Sequence, residues 1–273
     1  MGVARDAAPE IDRLVLSVNQ AVGPKHGPRL LSSAGERGLD SLRLLPHIAD
    51  FLLAGALTSE LATLRMRYSP PDQVLERLEE LEQKQLIEPG GGGWIATPPM
   101  RQLLEEVVAA RAEVAAEAWN EHDDAVTIAA RLAQVVGLTA TSEHLVAVVH
   151  RTLPEPADPY LLLYNRLVTL RYVRQHDHAE AWLNRGLTAP AAVVLTNLWK
   201  GKEVEVPSDG LSELIGLGFA DSDQPTLTAG GRQAREAIET DTNRRAQATF
   251  DVLDDQDEAS FLDALGALPG TTE

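Results

Sequence analysis

The chain contains no cysteine. That absence excludes disulfides, thiolate metal sites and thiol catalysis. Basic residues are scarce: 24 Lys and Arg stand against 41 Asp and Glu, a formal net charge of −17. A polyanion repels phosphate backbones, which argues against broad coating of nucleic acid. No apolar run approaches the roughly 20 residues of a membrane span. The opening MGVARDAAPEIDR lacks the apolar core of a signal peptide, so a soluble, cytoplasmic protein with no membrane partner is expected. Enzyme signatures are missing as well: there is no Walker A motif, no GxSxG and no GxGxxG placed after a strand. His176 and His178 point about 200° apart on a helix, and His144 and His150 are mismatched in the same way, so none of these pairs chelates one metal. No cofactor is implied.

What is present supports a folded chain. At 273 residues and 44% hydrophobic content there is material for one large domain or two modest ones with a real core. The charge is uneven. Residues 251–273 hold Asp251, Asp254, Asp255, Asp257, Glu258, Asp263 and Glu273 with no Lys or Arg, and residues 112–130 hold Glu113, Glu117, Glu121, Asp123 and Asp124, again with none. These read as an acidic tail and a solvated helix face, or as a surface for a basic protein partner. The remainder is only mildly acidic, which leaves room for a local basic surface.

Helical periodicity dominates the chain. A short apolar set at Ile11, Leu14, Val15 and Val18 precedes the breakers Gly23, Pro24 and Pro28. Leu42 to Leu57 is apolar enough for a buried helix. Thr58 or Ser59 caps the next, and Ser69-Pro70-Pro71-Asp72 starts another with Val74, Leu75, Leu78 and Leu81 at helical spacing. Gly90 to Gly93 then form the tip of a hairpin before the strand-like Trp94-Ile95-Ala96, and Thr97 caps a helix through Met100, Leu103, Leu104 and Val107. This order of helices and hairpin is that of a winged helix, with the glycines as the wing.

The C-terminal half repeats part of the pattern, since TPPMRQLLEEV at Thr97 lines up with TAGGRQAREAI at Thr228. The segment between Trp199 and Leu217 is too short and glycine-rich for a full recognition helix. The expected fold is therefore mainly α with small β-wings: two tandem, pseudo-duplicated winged-helix units joined by a helical middle. The expected boundaries are 1–110, 111–186, 187–250 and the acidic tail 251–273. The middle is read as a helix over about 101–136, a second over 140–152 and a long one from Tyr160 to about Asn184.

Two sets of residues are candidates for function. The helix at 71–85 would read DNA, but Asp72, Glu76, Glu79, Glu80 and Glu82 outnumber Arg77 and Lys84. Carboxylates beside phosphates repel, so DNA is disfavoured as a partner, although Arg65, Arg67 and Arg101 remain available to hold phosphates. The second set lies on the long helix, where Tyr164, Arg171, Arg174, His178 and Trp182 fall roughly along one side. Two neighbouring arginines repel unless an anion neutralises them. That anion is either a carboxylate of the chain, such as Asp177 or an internal Glu, or a carboxylate or phosphate on a ligand.

The run RYVRQHDH, then Gly186-Leu187-Thr188, then Thr228, Gly231, Arg232, Glu239, Thr242, Asn243 and Arg244 form a set of motifs. Over residues 157–250 these resemble an actinobacterial family of MarR-like, helix-turn-helix proteins. The resemblance implies a winged-helix scaffold with a polar helix and carries no chemistry over. The leading expectation is a MarR-like protein that binds a small anionic or aromatic molecule at Arg171, Arg174, His178, Tyr164 and Trp182, and that acts in transcriptional regulation. The alternatives are an enzyme of small-molecule biosynthesis on a repurposed scaffold, with His178 as acid or base, and an interaction module that does not bind DNA.

Overall fold

Helix α1 (Val3–Gly35) runs straight through the glycine and prolines that read as a break, with Pro9, Pro24 and Pro28 all inside it. A proline in a helix interior costs a hydrogen bond and a steric clash. Burial of both halves outweighs that local cost: Leu14, Val15 and Val18 lie in the main core, and Leu30 packs with Val107 and Ala110. The computed structural model describes residues 2–206 and 208–271.

The winged-helix order expected for the N-terminal half is present. Helices α2 (Leu45–Leu53), α3 (Ser59–Arg65) and α4 (Pro71–Gln83) precede strands β1 (Ile87–Gly90) and β2 (Gly93–Ala96) and helix α5 (Pro98–Trp119). Thr58 is the cap of α3, its hydroxyl accepting from Leu61 N at 3.1 Å. The strands pair antiparallel through a two-residue turn at Gly91 and Gly92, whose φ values of +63° and +86° suit only glycine comfortably. Gly93 has no room for a Cβ against the Leu57 carbonyl, which accepts from Trp94 N at 2.8 Å and so fastens the wing to the start of α3. Thr97 stands at the N-cap of α5, but its hydroxyl donates instead to the carbonyls of Gln85 and Leu86, tying the helix to the end of α4.

The single helix expected over 101–136 is two. Helix α5 stops at Trp119, and α6 (Asp123–Leu138) starts with Asp123 and Asp124 in its first turn, where the helix dipole favours acids. Helix α7 (Leu145–His150) is shorter than the expected 140–152. Helix α8 (Pro159–Leu183) matches its expected span, capped by Asp158, which accepts from Leu161 N at 2.8 Å. Helices α9 (Ala189–Trp199), α10 (Asp209–Gly216), α11 (Ala229–Phe250) and α12 (Asp255–Ala267) complete the chain. In the C-terminal half, where a second winged-helix unit is expected from the sequence, α10 has eight residues and an isolated bridge joins Ala220 to Leu227.

Two corrections concern the acidic stretches. Of the expected tail, the described residues 251–271 are packed on the fold. Asp254 caps α12, whose inward Phe261, Leu265 and Leu268 are buried against α1 and α6. Trp119 Nε1 donates to the Pro269 carbonyl at 3.1 Å and holds the segment further. Nor is the acidic face of α5 only solvated: Glu113 and Glu117 face His26 and Lys25 of α1. Helical periodicity hides both facts, because an amphipathic helix and an acidic tail share the same polar residues.

The hydrophobic clusters cut across the expected segments. A large one joins α1 to α8 with the end of α11 and α12. A smaller one gathers Trp182, Leu187, Leu195, Leu214 and Ile238 around α9 and α10. Helices α8 and α11 run through both and bind the two halves together. Among the described residues no helix is long and apolar enough to cross a membrane. Because Phe261 is fully buried, Phe261→Ala should lower the free energy of unfolding by about 3–5 kcal/mol. Urea denaturation followed by circular dichroism measures this; a change under about 1 kcal/mol would return the segment to the status of a tail.

Candidate functional site

A cleft of about 720 Å³ opens between α1, α2, α3, α5, α8 and α11. Five arginines line it (Arg65, Arg111, Arg171, Arg174 and Arg235) against three carboxylates, Asp12, Asp50 and Glu239. The rest of its wall mixes the polar Asn19, Gln175, His47 and His178 with apolar and aromatic side chains such as Val15, Val107, Tyr68, Tyr164 and Tyr172. Four of the five ligand residues expected from the sequence, Tyr164, Arg171, Arg174 and His178, line this cleft together. Trp182 does not; it is buried beside it with its ring 6.4 Å from that of Tyr68.

The arginines divide by how they are neutralised. Arg111 is buried and pairs with Asp50 of α2 at 3.0 Å, while its other arm donates to the Pro46 carbonyl. Burial opposes both charges, yet the pair's mutual attraction prevails: Asp50 is held below the usual carboxylate range and Arg111 is raised. Arg171 donates to Asp12 of α1 at 2.6 Å. Arg174 donates to Glu239 and Asn243 of α11, and Arg235 donates to the second oxygen of the same Glu239. Asp177, a candidate counter-ion for Arg174, faces His144 instead at 3.3 Å. The anions that keep Arg171 and Arg174 together therefore come from helices distant in sequence. Arg65 differs from the rest. It donates to the Tyr172 hydroxyl at 2.9 Å, contacts His47 Nδ1 at 3.0 Å and lies over the Tyr172 ring, and among the described residues no carboxylate pairs with it.

The histidines register this field. His47 is pushed down to about 4 by burial and then by Arg65, Arg111 and Arg171. His178 is also pushed down to about 4, by burial first, with Glu239 opposing and Arg235 and Arg174 adding to the fall. Both are neutral at pH 7, and their hydrogen bonds set the tautomers. The Arg65 guanidinium has only protons to give, so His47 Nδ1 accepts and Nε2 carries the hydrogen. Thr242 donates its one hydroxyl proton to the Ile238 carbonyl, so the His178 Nδ1 contact at 3.2 Å makes that nitrogen a donor and leaves Nε2 as an acceptor.

Of the three arginines assigned to phosphates, Arg101 is exposed and the other two are half-buried. Arg65 is in the cleft, Arg67 donates to the Leu64 carbonyl and Arg101 to the Leu53 carbonyl. The outer face of α4 exposes Asp72, Glu76, Glu79 and Glu80 beside Arg77, and the wing adds Glu88 and no cation. His144 packs against His176, while His150 is buried against Phe51 and Tyr172, so the histidines considered for metal are dispersed.

Sequence reading missed Asp12, His47, Asp50, Arg111, Tyr172, Arg235 and Glu239. One signal was available: Arg43 and His47 stand four residues apart, ahead of Gly55, with the same spacing that Arg174 and His178 have ahead of Gly186. A smaller cavity of about 240 Å³ lies behind Asp50, lined by Val108, Leu138, His150, Leu161 and Asn165 among others.

A family model described as the Helix-turn-helix family matches residues 94–271. The chain belongs to that family. The match begins in β2 and spans α5 to α12, so it takes in α9 and α10 and leaves α1 to α4 outside. No curated protein and no solved structure matches the chain.

Burial also sets the response to acid. His150 is pushed from 6.5 down to about 4 by burial, with Asp50 opposing. A lowered histidine pKa contributes stability that is complete above about pH 6.5 and is lost as the pH falls toward 4. For His150, which is 5% exposed, the loss is on the order of 3 kcal/mol. The urea midpoint should fall between pH 7 and pH 5, and His150→Gln should flatten that slope; a midpoint independent of pH over this range would contradict a buried neutral His150.

Proposed function

We propose that the chain is a ligand-binding helix-turn-helix protein whose cleft takes a small amphipathic anion. One observation carries this reading: in a chain of net charge −17, a cleft of about 720 Å³ gathers five arginines against three carboxylates. Arg65 is left with a hydroxyl, a neutral imidazole and a ring as its neighbours. A carboxylate or phosphate supplies the partner that this guanidinium lacks, and the tyrosines and valines suit an aromatic or aliphatic body.

Tandem winged-helix units, facing one another across the cleft, are the architecture that goes with this reading. Supporting it are the repeated features of the two halves. Gly55 and Gly186, with φ of +67° and +71°, end α2 and α8. Leu57-Thr58 and Leu187-Thr188 then open α3 and α9, each threonine accepting from the amide three residues on. Within this architecture the scaffold is MarR-like and ligand occupancy bears on α3 through Arg65, while the acidic face of α4 keeps DNA out of the reading. An enzymatic role for His178 is the weaker reading, because a base held at about pH 4 has little proton affinity at pH 7.

Two measurements test the proposal. Isothermal titration against aromatic and aliphatic carboxylates should show binding that Arg65→Ala weakens ten- to a hundred-fold, the worth of about 1.5–3 kcal/mol for a hydrogen bond to a charged group. Affinity unchanged in both Arg65→Ala and Arg171→Ala would remove the cleft from consideration. In a mobility-shift assay with genomic fragments, the acidic face of α4 should give no retardation at physiological salt. Retardation there would restore a DNA-reading role to the N-terminal unit.

A further inference from the structure

The two halves of the cleft are charged separately. At one end, among the described residues no carboxylate pairs with Arg65, and the cleft continues past His47 into a groove of about 380 Å³ lined by Arg43, Arg65 and Arg77 with no Asp or Glu. At the other end, Arg174 and Arg235 share the single carboxylate of Glu239. Arg235 is 9% exposed and its Nε, fully buried, has no hydrogen-bond partner. The remaining arginines of the cleft, Arg111 and Arg171, are matched one to one by Asp50 and Asp12. Unbalanced positive charge is thus confined to two places.

The histidines beside those two places, His47 and His178, correspond in the repeated pattern. Arg43 and His47 precede the glycine that ends α2 by the same intervals at which Arg174 and His178 precede the glycine that ends α8. The cationic surroundings of the two histidines do not overlap. His47 lies in the field of Arg65, Arg111 and Arg171, and His178 in that of Arg235 and Arg174.

We propose that the cleft holds two separate anion-binding poles, one at Arg65 and one at Arg174 and Arg235, and takes an elongated molecule with an acidic group at each end. This rests on the reading of the cleft as a small-molecule site and narrows the ligand to a dianion with an apolar or aromatic body. The ends are not equivalent: His47 offers an N–H beside the first pole, and His178 offers a lone pair beside the second, so the group at the second carries an O–H donor or leaves that nitrogen to water.

The test is calorimetric titration of the full chain with straight-chain α,ω-dicarboxylates of increasing length, against monocarboxylates of equal length. Affinity should peak at one length, at least ten-fold above the equal-length monocarboxylate. Arg65→Gln and Arg174→Gln should each erase that advantage. The monomethyl ester of the best diacid should lose it with the chain unaltered, which keeps the test independent of any variant that folds poorly. Monocarboxylates bound as tightly as dicarboxylates at every length would overturn the two poles and leave the cleft reading standing. Binding by no member of the series would overturn both.

Discussion

The buried pair of Arg111 and Asp50 is the interaction on which the rest of the site depends. It joins α5 to α2, and the second arm of Arg111 holds the Pro46 carbonyl at the start of α2. A guanidinium this deeply buried is tolerable only when its charge is matched and its protons are accepted, and removal of one partner strands the other at a cost of about 3–5 kcal/mol. Asp50 also stands on the wall between the large cleft and the smaller cavity. The position of α2, and with it His47, is therefore fixed from within the protein rather than by the surface loop that precedes it.

Net charge and local charge point in opposite directions in this molecule. The acids that make the chain a polyanion lie on outward faces of α4, α5 and α12, while guanidinium groups from four helices converge on one cleft. Dissolved salt screens the outer acids over a Debye length of about 8–10 Å at physiological ionic strength. Inside the cleft, screening is weaker and each unmatched cation counts for more. Membership of the helix-turn-helix family is compatible with this, because in this chain the cleft between the helices, rather than the outer face of α4, concentrates cations.

Much of the fold was legible in the sequence, and so was part of the site. The cap at Thr58, the prolines opening α4 and the glycine wing were readable because each is a local requirement of backbone geometry. Tyr164, Arg171, Arg174 and His178 were found because a helix places them on one side at fixed intervals. What failed was whatever depended on distant partners. Gly23, Pro24 and Pro28 read as a break but are carried inside α1 by packing on α5. Asp254 to Leu268 read as a tail but dock, because α1 and α6 present an apolar groove that no local pattern announces.

The sequence by itself determined a mainly helical chain with a winged N-terminal half, a long polar helix through its middle and no thiol chemistry, since periodicity, capping and composition are properties of neighbouring residues. Only the tertiary structure decided which arginines are matched and which are not. Ion pairing in a folded chain is a matter of distance in space: Asp12 meets Arg171, Asp50 meets Arg111 and Glu239 meets two arginines at once. Apart from the i,i+4 pair of Arg235 and Glu239 on α11, no spacing along the chain encodes those meetings, and it is their unequal count that leaves a cationic cleft in an acidic protein.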